Sequence, residues 1–169
     1  MSGQRWLSAS EHRTWLAFIR MRRSMDVAID TQLAEAGLSA ADYDVLAPLS
    51  ESETQILRVR DLAELIGWDR SRIAHQLRRM ELRGLVARSP SPAGGRGTMV
   101  RLTDQGREAI TAAAPGHVAV VRQVLFAQLD EHDRERLTAI AERVIEAAGE
   151  AGASRTGSRA SVRRSAPRS

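Results

Sequence analysis

The stretch "DLAELIGWDRSRIAHQLRRMELRGLVARSPSPAGGRGTMVRLT", residues 61–103, decides the fold. Leu62, Ala63, Leu65 and Ile66 form the apolar side of a compact helix that stops at Gly67, a suitable C-terminal residue. Asp69 is a good N-cap for a second helix, whose inward stripe is Ile73, Leu77 and Met80 and which Gly84 terminates. Two short β-prone segments follow, "LVAR" and "TMVRL". The residues between them, Ser89–Gly97, are too many and too rich in Pro and Gly for a tight hairpin turn, so they should project as a loop. Helix, Gly67-Trp68-Asp69 turn, helix and β-loop-β is the order of a winged helix-turn-helix, whose second helix enters the major groove of DNA.

Charge supports that reading. With Ile73, Leu77 and Met80 turned inward, Ser71, Arg72, His75, Arg78 and Arg79 fall on the outward side, with Gln76 at its margin. All can donate hydrogen bonds. Phosphate contacts would supply affinity, and Arg72, His75 or Gln76 could reach base edges. Residues 70–101 hold eight Arg against one acid, Glu81, while residues 1–149 as a whole hold 20 Arg and 20 acidic residues. The chain is therefore neutral with one basic sector. Its pI of about 11.0 overstates this, because all 25 basic residues are Arg and the net charge is only +4. A merely solvated Arg face is the competing reading, which the adjoining basic loop weakens. "PAGGRGT" is not a phosphate-cradling catalytic loop, since Gly-Lys-Ser/Thr and a following helix are both missing. As a wing, the loop would carry Arg96 over the neighbouring minor groove, where electrostatic potential attracts it.

Outside this stretch the chain reads as helical. Ser8-Ala9-Ser10-Glu11 fits a capping box, and Trp15, Phe18, Ile19, Met25, Ile29 and Leu33 continue at helical spacing to Gly37. Ser39 opens a second segment containing Tyr43, Leu46 and Ala47, which Pro48 should end or kink, and "TQILRV" suits a minor strand. Thr103 caps a further helix that meets Pro115-Gly116, after which Val118, Val121, Val124, Leu125 and then Leu137, Ile140, Ala141, Val144 and Ile145 continue the helical pattern. The stripes Trp15–Leu33 and Val118–Ile145 exceed what a small lobe can cover, and a second protomer would bury both. Residues 1–149 are expected to form one domain, with helical arms at 8–36 and 117–147 and a DNA-binding lobe at about 39–103. Residues 150–169 are rich in Ser, Arg, Ala and Gly and nearly devoid of large apolar side chains, so they should be a flexible basic tail.

Several classes are disfavoured. The chain has no cysteine, which removes disulfides and thiolate metal sites. No apolar run approaches the ~18–20 residues of a membrane span, and the N-terminus lacks an apolar signal core, so a cytoplasmic protein is expected. His12, His75, His117 and His132 show no metal-ligand spacing, and no Gly-x-Ser-x-Gly is present. Neither a cofactor nor enzymatic activity is expected, and six scattered aromatic residues make a poor single-strand stacking platform.

Over roughly residues 8–147 the chain resembles the MarR family of bacterial winged-helix transcription regulators. The carrying stretches are "GLSAADYDVLAPLS", "LRVRDLAELIGWDRSRIAHQLRRMELRGLVARSP", "GRGTMVRLTDQGREAI" and "AAAPGHVAVVRQVLFAQL", in the family's order and spacing. The resemblance implies a mainly α fold with a small β-wing, and a homodimer whose first and last helices interlock. It also implies two recognition helices in successive major grooves of a palindromic operator, with wings in flanking minor grooves. Many members are repressors released by small aromatic or phenolic ligands. The family's recognition-helix contacts match Ser71, Arg72, His75, Gln76 and Arg79, and its wing arginine matches Arg96. One departure stands out: the family wing usually reads Asp-x-Arg, the Asp holding the Arg, where this chain has Gly94-Gly95-Arg96. A ligand pocket between the arms and the lobe would draw on Trp15, Phe18, Tyr43 and His117. The alternative to a sequence-specific regulator is an architectural, broadly nonspecific DNA-binding protein using wing and tail.

Overall fold

Two capping boxes start the fold. Ser8 opens α1 (Ala9–Glu35) by exchanging hydrogen bonds with Glu11, and Ser39 opens α2 (Ala40–Glu51) in the same way with Asp42. The computed structural model describes residues 6–91 and 97–162, the last of these from 151 onward by backbone alone. After α2 come β1 (Ile56–Arg58), α3 (Val59–Leu65), α4 (Arg70–Leu82), β2 (Val86–Pro90), β3 (Thr98–Leu102) and α5 (Asp104–Val124). A short 3-10 turn (Phe126–Gln128) precedes α6 (Glu131–Val162). The chain divides into two compact units, Met1–Val124 and Leu125–Ser169.

The fold is thus mostly helical with a small β-wing. β3 lies between β1 and β2, antiparallel to both, with Leu57 opposite Val100 and Val86 opposite Leu102. Val86, Val100 and Leu102 point from this sheet into the core, where they meet Leu46, Leu49, Leu62, Ile73, Leu77 and Met80. The turn between α3 and α4 passes through Gly67 at φ +68°, a left-handed conformation that side chains disfavour. At the root of β2, α5 comes so close that a Cβ on Gly106 would collide with the Leu85 carbonyl oxygen. Thr103 secures the junction, donating from its hydroxyl to the Leu85 carbonyl at 3.0 Å and accepting from the Gly106 N–H at 3.0 Å.

Two expectations are corrected. Pro48 does not end its helix: it lies inside α2, as Pro115 lies inside α5. Each forfeits one backbone hydrogen bond, and packing on both sides compensates, with Ile110 and Ala113 buried before Pro115 and the His117 ring against Tyr43 after it. The tail is not wholly irregular, since α6 runs on to Val162; its Ala and Arg residues favour helical backbone without needing burial. By length and composition alone, Asp104–Gln128 would be long and apolar enough to cross a membrane. In this fold α5 packs against α1 and α2, with Ile110 and Ala113 buried.

Candidate nucleic-acid interface and adjoining cavity

Asp69 starts α4 by accepting, at one carboxylate oxygen, the backbone N–H groups of Ser71 at 2.8 Å and Arg72 at 2.9 Å. Ile73, Leu77 and Met80 are buried, and Ser71, Arg72, His75, Arg78 and Arg79 are exposed. The Arg72 guanidinium lies 4.0 Å above the Trp68 ring. Among the described residues, none of Arg70, Arg72, Arg78 and Arg79 has a carboxylate within ion-pair distance. The acid of this sector is already engaged: Glu81 accepts from the Arg88 backbone N–H and from two atoms of its guanidinium, at 2.7–3.0 Å. Arg88 holds the Glu81 carboxyl below its ordinary value. The exposed face of α4 is therefore a set of donors whose arginines have no carboxylate in ion-pair contact among the described residues, suited to a polyanion.

Gln76 departs from expectation. It does not project from the margin of the outward face; it is only 5% exposed, and its amide donates to Asp42 at 2.7 Å. The reason is helical geometry, since position 76 is three residues after Ile73 and four before Met80, on their side of the helix. Asp42, itself 1% exposed, also accepts from Arg83 at 2.6 Å and from the Ser39 N–H and hydroxyl at 2.9 and 2.8 Å. Burial alone would push its carboxyl up; the Ser39 N–H, Arg83 and the Ser39 hydroxyl together hold it below its ordinary value. Arg83 donates in addition to the Gly37 carbonyl at 2.7 Å. Sequence reading missed Asp42 and Arg83. The only available signal was the Ser39-x-x-Asp42 spacing, which suggests a cap and says nothing about a residue on another helix.

Arg96, Gly94 and Gly95 lie outside the described residues. The ligand-pocket expectation is met in part. Tyr43 and His117 come together, ring centroids 4.2 Å apart, in the wall of a cavity of about 310 Å³ between α1, α2 and α5. Trp15 and Phe18 do not line it; they stack on each other at 6.0 Å on the open surface of α1, 53% and 46% exposed. Their places are taken by Asp26, Asp30 and Asp44, which periodicity alone did not single out. Burial pushes the Asp44 carboxyl up, against the opposing pull of Arg72 and His117 and with a small push from Asp30. Burial pushes the His117 imidazole down, against the pull of Asp44, and its Nδ1 meets no hydrogen-bond partner among the described residues. These residues gather no group of three potential metal ligands.

In the second unit, Asp130 accepts the Asp133 N–H at 2.8 Å to start α6, and Arg134 reaches over the Phe126 ring at 5.9 Å. Ile140, Val144 and Ile145 of α6 are exposed.

A model of the MarR family matches residues 36–97. Among solved structures, the chain is similar to AbsC of Streptomyces coelicolor, a MarR family transcriptional regulator, at 33% identity and a TM-score of 0.83 over 87% of this chain and 99% of that one. Sco3205 of the same organism, a MarR family transcriptional regulator solved in complex with DNA, is 35% identical at a TM-score of 0.81, over 87% and 92% of the two chains. The PcaV transcriptional regulator of S. coelicolor, solved with its natural ligand, is 28% identical at a TM-score of 0.71, over 86% and 99%. Curated relatives match over less: one helix-turn-helix regulator of Bacillus subtilis is 29% identical over 89 residues, and the chain spans about half of its length, 53%.

Proposed function

Because the chain belongs to the MarR family of winged helix-turn-helix, DNA-binding transcription regulators, we propose that it acts as a homodimeric repressor on a palindromic operator in the cytoplasm. The observation that carries this reading is the outward face of α4, where Ser71, Arg72, His75 and Arg79 stand exposed on a helix pinned by three buried apolar residues. That face would enter the major groove, with phosphates bound by the arginines and bases read near the helix start. Arg96 would reach the adjoining minor groove. The solved DNA complex of Sco3205 supports the choice of ligand class. Two protomers would bury the exposed apolar side chains of α1 and α6, including Leu16, Phe18, Val144 and Ile145. The cavity beside Tyr43 and His117 is the place for a small effector with an aromatic body, and occupancy there would release DNA.

Footprinting on DNA upstream of the protein's own coding region tests the reading. Two protected half-sites about one helical turn, ~10 bp, apart are expected. Uniform coverage without half-sites would instead favour an architectural protein bound through wing and tail.

A further inference from the structure

Gln76 sits in the middle of the helix that carries the outward donors, yet its side chain faces away from them and into the lobe. There it meets a carboxylate 34 residues away in sequence. Arg83, at the C-cap of the same helix, meets the other oxygen of that carboxylate. Asp42 therefore grips α4 at two points, one central and one terminal, while the Ser39 cap fixes Asp42 and the Arg83 bond to Gly37 fixes the α1–α2 corner. Apolar packing of Ile73, Leu77 and Met80 holds α4 on the core but is tolerant of small slides and rotations. Charge-assisted hydrogen bonds of 2.6–2.7 Å to a buried carboxylate are not. Two such bonds, from positions seven residues apart on one helix, fix both its axial position and its rotation.

We propose that Gln76 and Arg83, acting through Asp42, are positioning residues that set the pose of the recognition helix and thereby the discrimination of operator from other DNA. Neither reads a base. This rests on the reading of α4 as the recognition helix. Its signature is a loss of specific binding with nonspecific binding retained, because phosphate attraction depends on the charges of the face more than on its register. The loss is spread over every base pair the helix reads.

The test uses the full chain and measures dissociation constants for an operator duplex, a panel of singly substituted operators and an unrelated duplex at one salt concentration. Gln76→Glu sets a second carboxylate against Asp42; the ratio of specific to nonspecific affinity should fall roughly tenfold, the scale of a lost hydrogen bond to a buried charge. Adding Asp42→Asn should restore it, because the Asn amide then donates to Glu while its oxygen still accepts from Arg83 and Ser39. Arg83→Gln, at a half-exposed position where folding is safer, should reduce the ratio in the same way. Melting temperatures identify any variant that fails to fold, and a simple loss of folded protein would lower both affinities together. The proposal is overturned if folded Gln76→Glu and Arg83→Gln keep the wild-type ratio, or if the Gln76→Glu defect is confined to one operator position and Asp42→Asn does not repair it. Arg72→Ala and Arg79→Ala separate the underlying reading: if they leave operator affinity unchanged, α4 is not the recognition helix, whereas a loss there beside intact clamp variants defeats the clamp alone.

Discussion

The guanidinium of Arg72 rests 4.0 Å over the indole ring of Trp68, so the arginine in the first turn of α4 is held by the residue just before that helix's N-cap. Such contacts are worth ~0.5–1 kcal/mol at exposed sites, here as order imposed on a side chain before DNA arrives. Trp68→Leu, which keeps apolar bulk, is expected to weaken operator binding about two- to fivefold. In an Arg72→Ala background the same change should have no effect, and a double-mutant cycle in DNA titrations reads the difference.

The imidazole of His117 is pushed below its ordinary value of 6.5 by burial. Between that lowered value and 6.5 the unfolded chain binds the proton more readily than the folded one, so stability rises with pH across the window. The contribution is complete above about pH 6.5 and is lost as the pH falls toward the lowered value, with a slope of at most about 1.4 kcal/mol per pH unit. The Asp44 carboxyl, pushed up by burial, acts in the opposite sense within its own window above 3.8. Urea denaturation of wild type and His117→Gln across this range isolates the imidazole, and the wild-type advantage should shrink on acidification.

Gly106 and Gly149 should respond oppositely to alanine. The first leaves no room for a Cβ beneath the Leu85 carbonyl, while the second has open space around it inside α6. Gly106→Ala is expected to cost ~1–3 kcal/mol through overpacking, and Gly149→Ala to be neutral or stabilising by up to ~1 kcal/mol through helix propensity. Chemical denaturation measures both.

If α6 is a dimerisation arm, its exposed Val144 and Ile145, at 60% and 71%, lie in the interface. Val144→Asp with Ile145→Asp should weaken self-association by roughly 100-fold or more, from the ~1.5–3 kcal/mol lost per buried aliphatic side chain. Sedimentation velocity should then show monomer, and the second half-site should vanish from the footprint.

If Ser89–Gly97 is a DNA-binding wing, Gly94 holds the position at which the resemblance implies an aspartate orienting the arginine two residues on. Arg96→Ala is expected to weaken binding across sequences and to lower the salt slope by about one per wing. Gly94→Asp should tighten binding only while Arg96 is present, which DNA titrations at several salt concentrations would reveal.

Most of the fold was legible because it is written locally. Ser8, Ser39 and Asp69 are caps within a few residues of what they cap, Gly67 and Gly84 are stops, and the stripe of Ile73, Leu77 and Met80 gives the helix phase directly. Pro48 misled for the same reason: it is a local breaker, and only packing against other elements lets α2 run on to Glu51. The outward residues of α4 followed from phase; phase also puts Gln76 on the side of Ile73 and Met80, but its polarity argued for the margin, and a polar side chain stays inside only where a distant partner waits. Asp42 is that partner, and no spacing within either helix announces it. The cavity was half legible. Tyr43 and His117 meet because α2 and α5 pack together, while Trp15 and Phe18 lie too early on α1 to reach them.

Asp42, Tyr43 and Asp44 are consecutive, yet they face different compartments: Asp42 is bonded to Gln76 of α4, and Tyr43 and Asp44 border the cavity. Side-chain atoms stand about 5–6 Å from a helix axis, so a roll of α2 by about 10° carries them about 1 Å. At the cavity that is a modest change of shape. At the carboxylate, where bonds of 2.6 and 2.7 Å are already close, a shift of the same size along a bond would take it past hydrogen-bonding range. A single turn of α2 thus carries both a cavity wall and the carboxylate that holds α4, so a roll of this helix would be felt on both sides at once.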